Sequence, residues 1–387
     1  MCGGLNQPCC SGSTCTAAGT LCSGAGSCVP CATGQTLCGG ACVSVASDPL
    51  NCGVCGHNCQ GGACGPNPSG ATACQPLLLT PSNFTGGQLA INGDSVYVLD
   101  YGSAGVNERV LRFSKATGQG VVLTSVTGNI FNIAADNNFF YWTTQPGTDI
   151  GVINRSMPDG SVVHQFGTSP GASAIAVDSS GVAFFLTGTA AGGAADSAIM
   201  RLAPADAGPS MVLGTQLRIG ALAVDANNLY WFTTSVQPDG SDSFVRAMPK
   251  NGGTITTIAN PQPNATGTGM AIAAFNGNVY WVPRGLGNTD GQANGARPFN
   301  SGTIIPYATA LERPIAVVAD ASFVYWTVLG NSADGLVERS PVPSGTPVAL
   351  VNNLHSPLSI GLDGNVLYFT TLGDATTGGG LYRLVLP

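Results

Sequence analysis

Fourteen cysteines lie between Cys2 and Cys74, and none follows in the rest of the 387-residue chain. They form two even groups: Cys2, Cys9, Cys10, Cys15, Cys22 and Cys28, then Cys31, Cys38, Cys42, Cys52, Cys55, Cys59, Cys64 and Cys74. Thiols in such numbers either oxidise in pairs or hold metal. Cys28-x2-Cys31 and Cys52-x2-Cys55 have nearly the spacing of a zinc ribbon. Zinc at those four would strand Cys38 and Cys42 between them and leave eight cysteines unexplained. Disulfides are therefore expected for all fourteen, because these short stretches carry almost no large apolar residues and cannot fold by burial alone. The connectivity is not readable from spacing. Disulfides need an oxidising compartment, yet no basic and apolar export segment precedes Met1-Cys2, so an extracellular or cell-surface protein with a truncated start is expected.

Catalysis needs an acid, a base, a nucleophile or a metal within reach of one another. The three histidines, His57, His164 and His355, and the three glutamates, Glu108, Glu312 and Glu338, show no spacing that pairs them. No nucleophile elbow, HExxH, phosphate loop or calcium loop occurs. The sequence thus nominates no catalytic residue, no metal ligand and no resident cofactor. The net charge is -7, and seven of the 13 basic residues recur at one place in an internal repeat. Arg109, Arg218, Arg284, Arg313, Lys115 and Lys250 remain, too scattered for a basic patch. This charge pattern argues against nucleic acid and anionic membranes as partners. No apolar run reaches the roughly 20 residues of a membrane helix.

The repeat has seven copies: LAINGDSVYV from Leu89, IAADNNFFYW from Ile133, IAVDSSGVAF from Ile175, LAVDANNLYW from Leu222, IAAFNGNVYW from Ile272, VVADASFVYW from Val317 and IGLDGNVLYF from Ile360. A spacing of 42 to 50 residues suits one four-stranded propeller blade. The adjacent aromatics Tyr141-Trp142, Tyr230-Trp231, Tyr280-Trp281, Tyr325-Trp326 and Tyr368-Phe369 sharpen the assignment. Neighbouring strand residues point to opposite faces, so two large aromatics in sequence require both faces to be covered. A blade wedged between two others meets that demand. Asn, Gly and Ser residues between the apolar and aromatic pairs mark a tight turn joining strands a and b. Strand c follows with Arg112, Arg155, Arg201, Arg246, Arg297, Arg339 or Arg383, and then a β-rich strand d. The last unit stops after strand c, at LYRLVLP, and Pro76 to Thr80 (PLLLT) is expected to supply its missing strand. The expected fold is all-β: a seven-bladed β-propeller closed by an N-terminal strand and preceded by small disulfide-rich modules.

Within this frame most repeated groups are structural. The four tryptophans share one strand-b position and belong to the core. An acidic or amide residue (Asn92, Asp136, Asp178, Asp225, Asp320, Asp363) sits at each a-to-b turn except in the fifth unit, which has Phe275. It is expected to cap the turn and to pair with the strand-c arginine in a repeating ladder. The b-to-c loops vary most in length, and each carries an acid: Glu108, Asp149, Asp196, Asp239 with Asp242, Asp290, Asp334 and Asp374. They emerge on one face around the channel mouth, and recognition usually lives in loops held by a rigid scaffold. An acidic rim is expected to favour a divalent cation or a cationic partner. The competing reading is that Asp and Gly are turn formers. Sequons at Asn83, Asn154 and Asn264 would matter only in a eukaryotic host.

Residues 1–30, with the pattern C-x6-CC-x4-C-x6-C-x5-C, resemble knottin-like modules. Residues 31–75, through LCGGACVSVASDPLNCGVCGHNC, resemble the Stig1-type repeat of secreted plant and bacterial proteins. Residues 76–387, through VYWT at Tyr325 and YWTT at Tyr141, resemble YWTD-type and lactonase-like propellers. The resemblances of the cysteine-rich modules imply a secreted protein, and with the variable acidic loops the expectation is a secreted, bacterial binding or interaction protein whose partner is an extracellular glycan, peptide or protein. A lyase or hydrolase of the lactonase or antibiotic-lyase kind, or a structural matrix protein, is the alternative.

Overall fold

The computed structural model describes residues 1–80, 84–102, 108–126, 129–145, 151–168, 172–187, 196–203, 210–217, 219–233, 244–259, 270–285, 289–331, 333–373 and 378–387. They form strands and turns with no helix, and hence none long and apolar enough to cross a membrane. Two compact units result: Met1–Leu77 with Gly364–Leu367 and Arg383–Pro387, and Leu78–Asp363 with Tyr368–Tyr382.

Sulfur holds the first unit together. All fourteen cysteines are oxidised, as Cys2–Cys10, Cys9–Cys22, Cys15–Cys28, Cys31–Cys42, Cys38–Cys55, Cys52–Cys64 and Cys59–Cys74. The zinc alternative is overturned: Cys28 and Cys31 join different partners, as do Cys52 and Cys55. Each loop overlaps the next within 2–28 and again within 31–74, and no bond crosses between the two runs. Three small antiparallel pairs accompany them: Thr20–Cys22 with Cys28–Pro30, Thr36–Cys38 with Ala41–Val43, and Cys64–Pro66 with Thr72–Cys74. Buried Cys28, Cys52, Cys59 and Cys74 stand where a larger domain would place Leu or Phe. His57 is structural here, with Nδ1 2.7 Å from the Cys52 carbonyl oxygen and Nε2 3.1 Å from that of Leu386.

The second unit holds the propeller, seven four-stranded antiparallel sheets. Strands a to d are Gly86–Ile91, Ser95–Asp100, Glu108–Ser114 and Gly120–Val126 in blade 1, and Asn129–Ala135, Phe140–Gln145, Gly151–Ser156 and Val162–Thr168 in blade 2. Blade 3 has Ala172–Val177, Ala183–Thr187, Asp196–Leu202 and Ser210–Leu217; blade 4 has Ile219–Val224, Asn228–Thr233, Val245–Pro249 and Thr256–Ala259. Blade 5 has Met270–Phe275, Asn278–Pro283, Gly291–Ala296 and Ile305–Leu311; blade 6 has Pro314–Ala319, Phe323–Val328, Gly335–Pro341 and Val348–Leu354. Blade 7 has Pro357–Asp363, Val366–Gly373 and Gly378–Val385, and takes its outer strand from Leu77–Leu78. The expected closure is present. Leu79 N donates to the Leu381 carbonyl at 2.8 Å, and Leu381 N to Thr80 Oγ1 at 3.1 Å.

The paired aromatics divide as their alternation requires. Trp231 packs toward blade 3 with Phe184 and Ile199, while Tyr230 packs toward blade 5 with Ile272 and Trp281. Tyr141 likewise meets Ile175 and Phe185 of blade 3, and Trp142 meets Tyr97 and Leu99 of blade 1. All four tryptophans are buried. Each such burial stabilises by about 1.5–3 kcal/mol relative to exposure. The sequon at Asn154 is closed to modification: this side chain is buried and accepts a bond from Gln165 Nε2 at 2.9 Å. Asn83 and Asn264 lie outside the described residues.

The arginines do not share one register. Arg112, Arg155 and Arg339 stand opposite Tyr97, Tyr141 and Tyr325, and Arg201 opposite Phe184 at the same repeat position. In blade 4 that place belongs to Ala247, and Arg246 lies opposite Trp231 on the other face. In blade 5 it belongs to Gly295, and Arg297 follows the end of the strand. A shift of one residue turns a side chain to the other face, so identity of type in a repeat does not imply identity of place.

Candidate functional site

The two ends of the blades use their polar groups differently. At the a-to-b end, the acid caps its own turn, as expected. Asp136 Oδ1 accepts from Asn138 N at 2.6 Å and Phe139 N at 2.8 Å, Asp225 Oδ1 from Asn227 N and Asn228 N at 2.8 Å, and Asp320 Oδ1 from Ser322 N at 2.6 Å and Phe323 N at 2.7 Å. The second oxygen takes the strand-b tyrosine hydroxyl, from Tyr141 at 3.1 Å, Tyr230 at 2.8 Å and Tyr325 at 3.0 Å. This replaces the expected Asp-to-Arg ladder. The acid reaches tyrosine, and the arginines of blades 2 and 6 act on the same hydroxyl. Burial first, then the carboxylate, pushes these three hydroxyls well above the ordinary tyrosine range. Arg155 also lies between the Phe139 and Phe166 rings, and Arg339 over Phe323.

The b-to-c end carries the candidate rim. Glu108 opens strand c of blade 1, and its Oε2 accepts the Ile130 N–H of blade 2. Asp334 Oδ1 accepts Asn331 N at 2.7 Å, closing its own loop. Asp290 folds back against Gly285, whose missing side chain makes room for it. Asp196 opens strand c of blade 3 opposite Leu217. Asp149, Asp239, Asp242 and Asp374 lie outside the described residues.

A regular frame supports these loops. Near the start of the b-to-c loop, Gly102, Gly285, Gly330 and Gly373 all have φ between 67° and 84°, a left-handed conformation that glycine adopts without steric cost. On the same end, the d-to-a turns before blades 6 and 7 are copies of each other. Leu329 N and Gly330 N donate to the carbonyls of Arg313 and Glu312, and Leu372 N and Gly373 N to those of Ser356 and His355. Glu312 and His355 are therefore repeat-equivalent, a relation the sequence reading missed although Leu-Glu-Arg-Pro and Leu-His-Ser-Pro both precede strand a. Glu312, Asn331 and Arg313 are joined, with Asn331 Nδ2 donating to Glu312 Oε1 and Arg313 Nη2 to Asn331 Oδ1 at 3.4 Å.

Two more groups at this end were not anticipated. Asp100 is fully buried, is bound by Arg109 from Nε at 3.0 Å and from Nη2, and accepts Thr85 N and Gly102 N at 3.1 and 3.0 Å. Burial, then the Glu108 charge, raises the nearby Tyr101 hydroxyl. Among the other acids, Glu338 accepts the Trp326 indole N–H at 2.9 Å, and burial pushes its carboxyl up. Among the described residues, the groups that gather three metal-ligand atoms are Cys9–Cys15–Cys28 and Cys52–Cys59–Cys74, all oxidised as disulfides.

No family model matches the chain, and no curated protein matches it. Solved structures do. An oligogalacturonate lyase in complex with manganese is similar at TM-score 0.59 and 13% identity, over 84% of this chain and 96% of that one. The oligogalacturonate lyase of Vibrio parahaemolyticus is similar at TM-score 0.58 and 11% identity, over 81% and 93%. The β-propeller domain of the Trilobed protease from Pyrococcus furiosus is similar at TM-score 0.52 and 9% identity, over 70% and 82%. At these identities the likeness is one of fold alone.

Proposed function

We propose that this is a secreted or cell-surface binding protein that recognises an extracellular glycan, peptide or protein at the b-to-c face of its propeller. One observation carries the reading: the copies are alike at one end and diverge at the other. At the a-to-b end blades 1, 2, 3, 4 and 6 repeat one capped turn. At the b-to-c end the connections run from 374–377 in blade 7 to 234–244 in blade 4. A rigid scaffold with divergent loops on one face is the usual architecture of recognition. Seven disulfides fit an oxidising, extracellular setting. Residues 1–30 and 31–75 are read as two modules of the knottin-like and Stig1-like kinds.

The rim acids favour a cationic ligand: a divalent ion, an amino sugar or a basic segment. Calorimetric titration of wild type and the Asp149→Asn, Asp239→Asn, Asp290→Asn, Asp334→Asn variant with calcium and with a basic peptide tests this. Asparagine keeps the acceptor that Asp334 offers to Asn331, so stability should hold while affinity falls at least about tenfold, or 1.4 kcal/mol. Equal binding by both proteins, or none by wild type, rejects the acidic rim.

A second reading, a metal-assisted lyase or hydrolase, is favoured by Glu312 and His355 at the same place in consecutive turns. Turnover of oligogalacturonate with manganese, abolished in a Glu312→Gln, His355→Ala variant, would support it.

A further inference from the structure

Blade 5 is the copy in which the a-to-b chemistry is incomplete. Its turn has Phe275 where blades 2, 4 and 6 have Asp136, Asp225 and Asp320. Its strand c has Gly295 opposite Tyr280, where blades 1, 2 and 6 have arginine. Both members that hold the tyrosine hydroxyl elsewhere are therefore replaced.

The space is not filled by apolar side chains alone. A Cβ at Gly295 would lie 2.8 Å from Tyr280 Cδ1 and 2.9 Å from Tyr307 Cε2, so the glycine admits a second tyrosine ring against the first. The ring centroids are 5.9 Å apart. Tyr307 reaches this place from strand d because Asn294 pairs with Pro306 and Ala293 with Ala308, leaving Tyr307 as the extra residue of a bulge, a device that re-aims a side chain. Arg297, two residues beyond Gly295, brings back a cation, whose charge acts on both hydroxyls.

Tyr280 is 0% exposed and Tyr307 3% exposed, yet neither hydroxyl has a hydrogen-bond partner among the described residues, nor has the buried Arg297 Nε. The equivalent hydroxyls of Tyr141, Tyr230 and Tyr325 all have one. The acid in the neighbouring turn, Asp320, is already taken by Tyr325, Ser322 N and Phe323 N. What remains is a cluster of two buried phenols and a guanidinium with no carboxylate of its own. Buried donors left unpaired are destabilising.

We propose that blade 5 binds a small monoanion, a carboxylate of formate size or a halide, which takes the place of the missing aspartate and accepts from the Tyr280 and Tyr307 hydroxyls and Arg297. The cluster lies at the a-to-b end of the blade, so this site is independent of the recognition face proposed above. Burial pushes the Tyr307 hydroxyl up to about 12, so it remains a donor throughout the neutral range.

The test uses the full-length, disulfide-intact protein. Its melting temperature is followed while sodium formate or sodium chloride replaces the salt of a bulky sulfonate at constant ionic strength. Wild type should show a saturable rise of several degrees. A rise with formate alone assigns a carboxylate, and one with chloride alone a halide. The Tyr280→Phe, Tyr307→Phe variant keeps the packing but loses two donors, and its rise should be absent. Phe275→Asp supplies the acceptor covalently and should also be indifferent to the anion. Bromide soaked into crystals should scatter anomalously beside both hydroxyls. No saturable rise in wild type, or an equal rise in the double phenylalanine variant, overturns the proposal.

Discussion

Single side chains decide how each blade end is wired. Phe184 stands where blades 2, 4 and 6 have tyrosine, so Asp178 has no tyrosine hydroxyl to receive; its Oδ2 accepts Lys250 Nζ of blade 4 at 2.6 Å instead. Where tyrosine is present the acid is fully used. Asp225 accepts four bonds: Asn227 N and Asn228 N at 2.8 Å, the Tyr230 hydroxyl at 2.8 Å, and Gly277 N of blade 5 at 3.1 Å. Asp225→Ala would orphan a buried hydroxyl and several backbone donors, each loss costing about 1–3 kcal/mol when nothing replaces the acceptor. We expect a total loss of about 2–4 kcal/mol, the backbone groups being partly rescued by water. Asp225→Asn, which retains an acceptor for the turn, should lose less than half of that. Urea denaturation of the two variants measures the difference, and equal losses would show that the bonds to the second oxygen, from Tyr230 and Gly277, and not the turn cap, carry the energy.

At the scale of strands and turns, the a-to-b end was legible because its chemistry is local. Acid, turn and aromatic pair lie within one short stretch, so Asp136, Asp225 and Asp320 could be read as caps directly. Closure by residues near Pro76 was legible because the last unit visibly lacked a strand. The arginine register was not: Arg246 and Arg297 differ from Arg112 by one or two places, and only strand pairing reveals such a shift. The equivalence of Glu312 and His355 was hidden for a different reason. Their turns are held by main-chain bonds, which leave the side chains free to differ. Disulfide partners were illegible because spacing does not encode distance.

Both lysines of the chain act at this scale, as staples between blades. Lys115 reaches Asp363 of blade 7 at 2.7 Å, and Lys250 reaches Asp178 of blade 3. Burial raises the Asp178 carboxyl, but the bonds from Lys250, Ser180 and Val182 outweigh it and hold the group below the ordinary carboxylate value. A depressed folded-state value means that the unfolded chain takes up the proton first. The contribution is therefore complete above about pH 4, the ordinary aspartate value, and is lost as the pH falls further. The difference in melting temperature between wild type and Asp178→Asn should be largest near neutrality and shrink below that point. A difference independent of pH would mean that the staple contributes through packing and not through charge.

For the molecule as a whole, two kinds of stabilisation are kept in separate parts of the sequence. Residues 1–77 contain no Phe, Tyr or Trp, while every aromatic side chain lies between Phe84 and Tyr382. The first part depends on seven crosslinks closing loops with sequence separations of 8 to 17. Each contributes about 2–4 kcal/mol by restricting the unfolded chain. With no aromatic core to compensate, reduction should unfold it outright. The blades have no cysteine to lose and bury four tryptophans between their sheets. Reductant should therefore abolish amide-exchange protection across residues 1–74 while leaving the near-ultraviolet circular dichroism of the tryptophans intact. That signal comes from the propeller alone, so the two readouts cannot be confused. Loss of the tryptophan signal on reduction would show that the propeller depends on the disulfides, and the division of labour between sulfur and aromatic burial would fall.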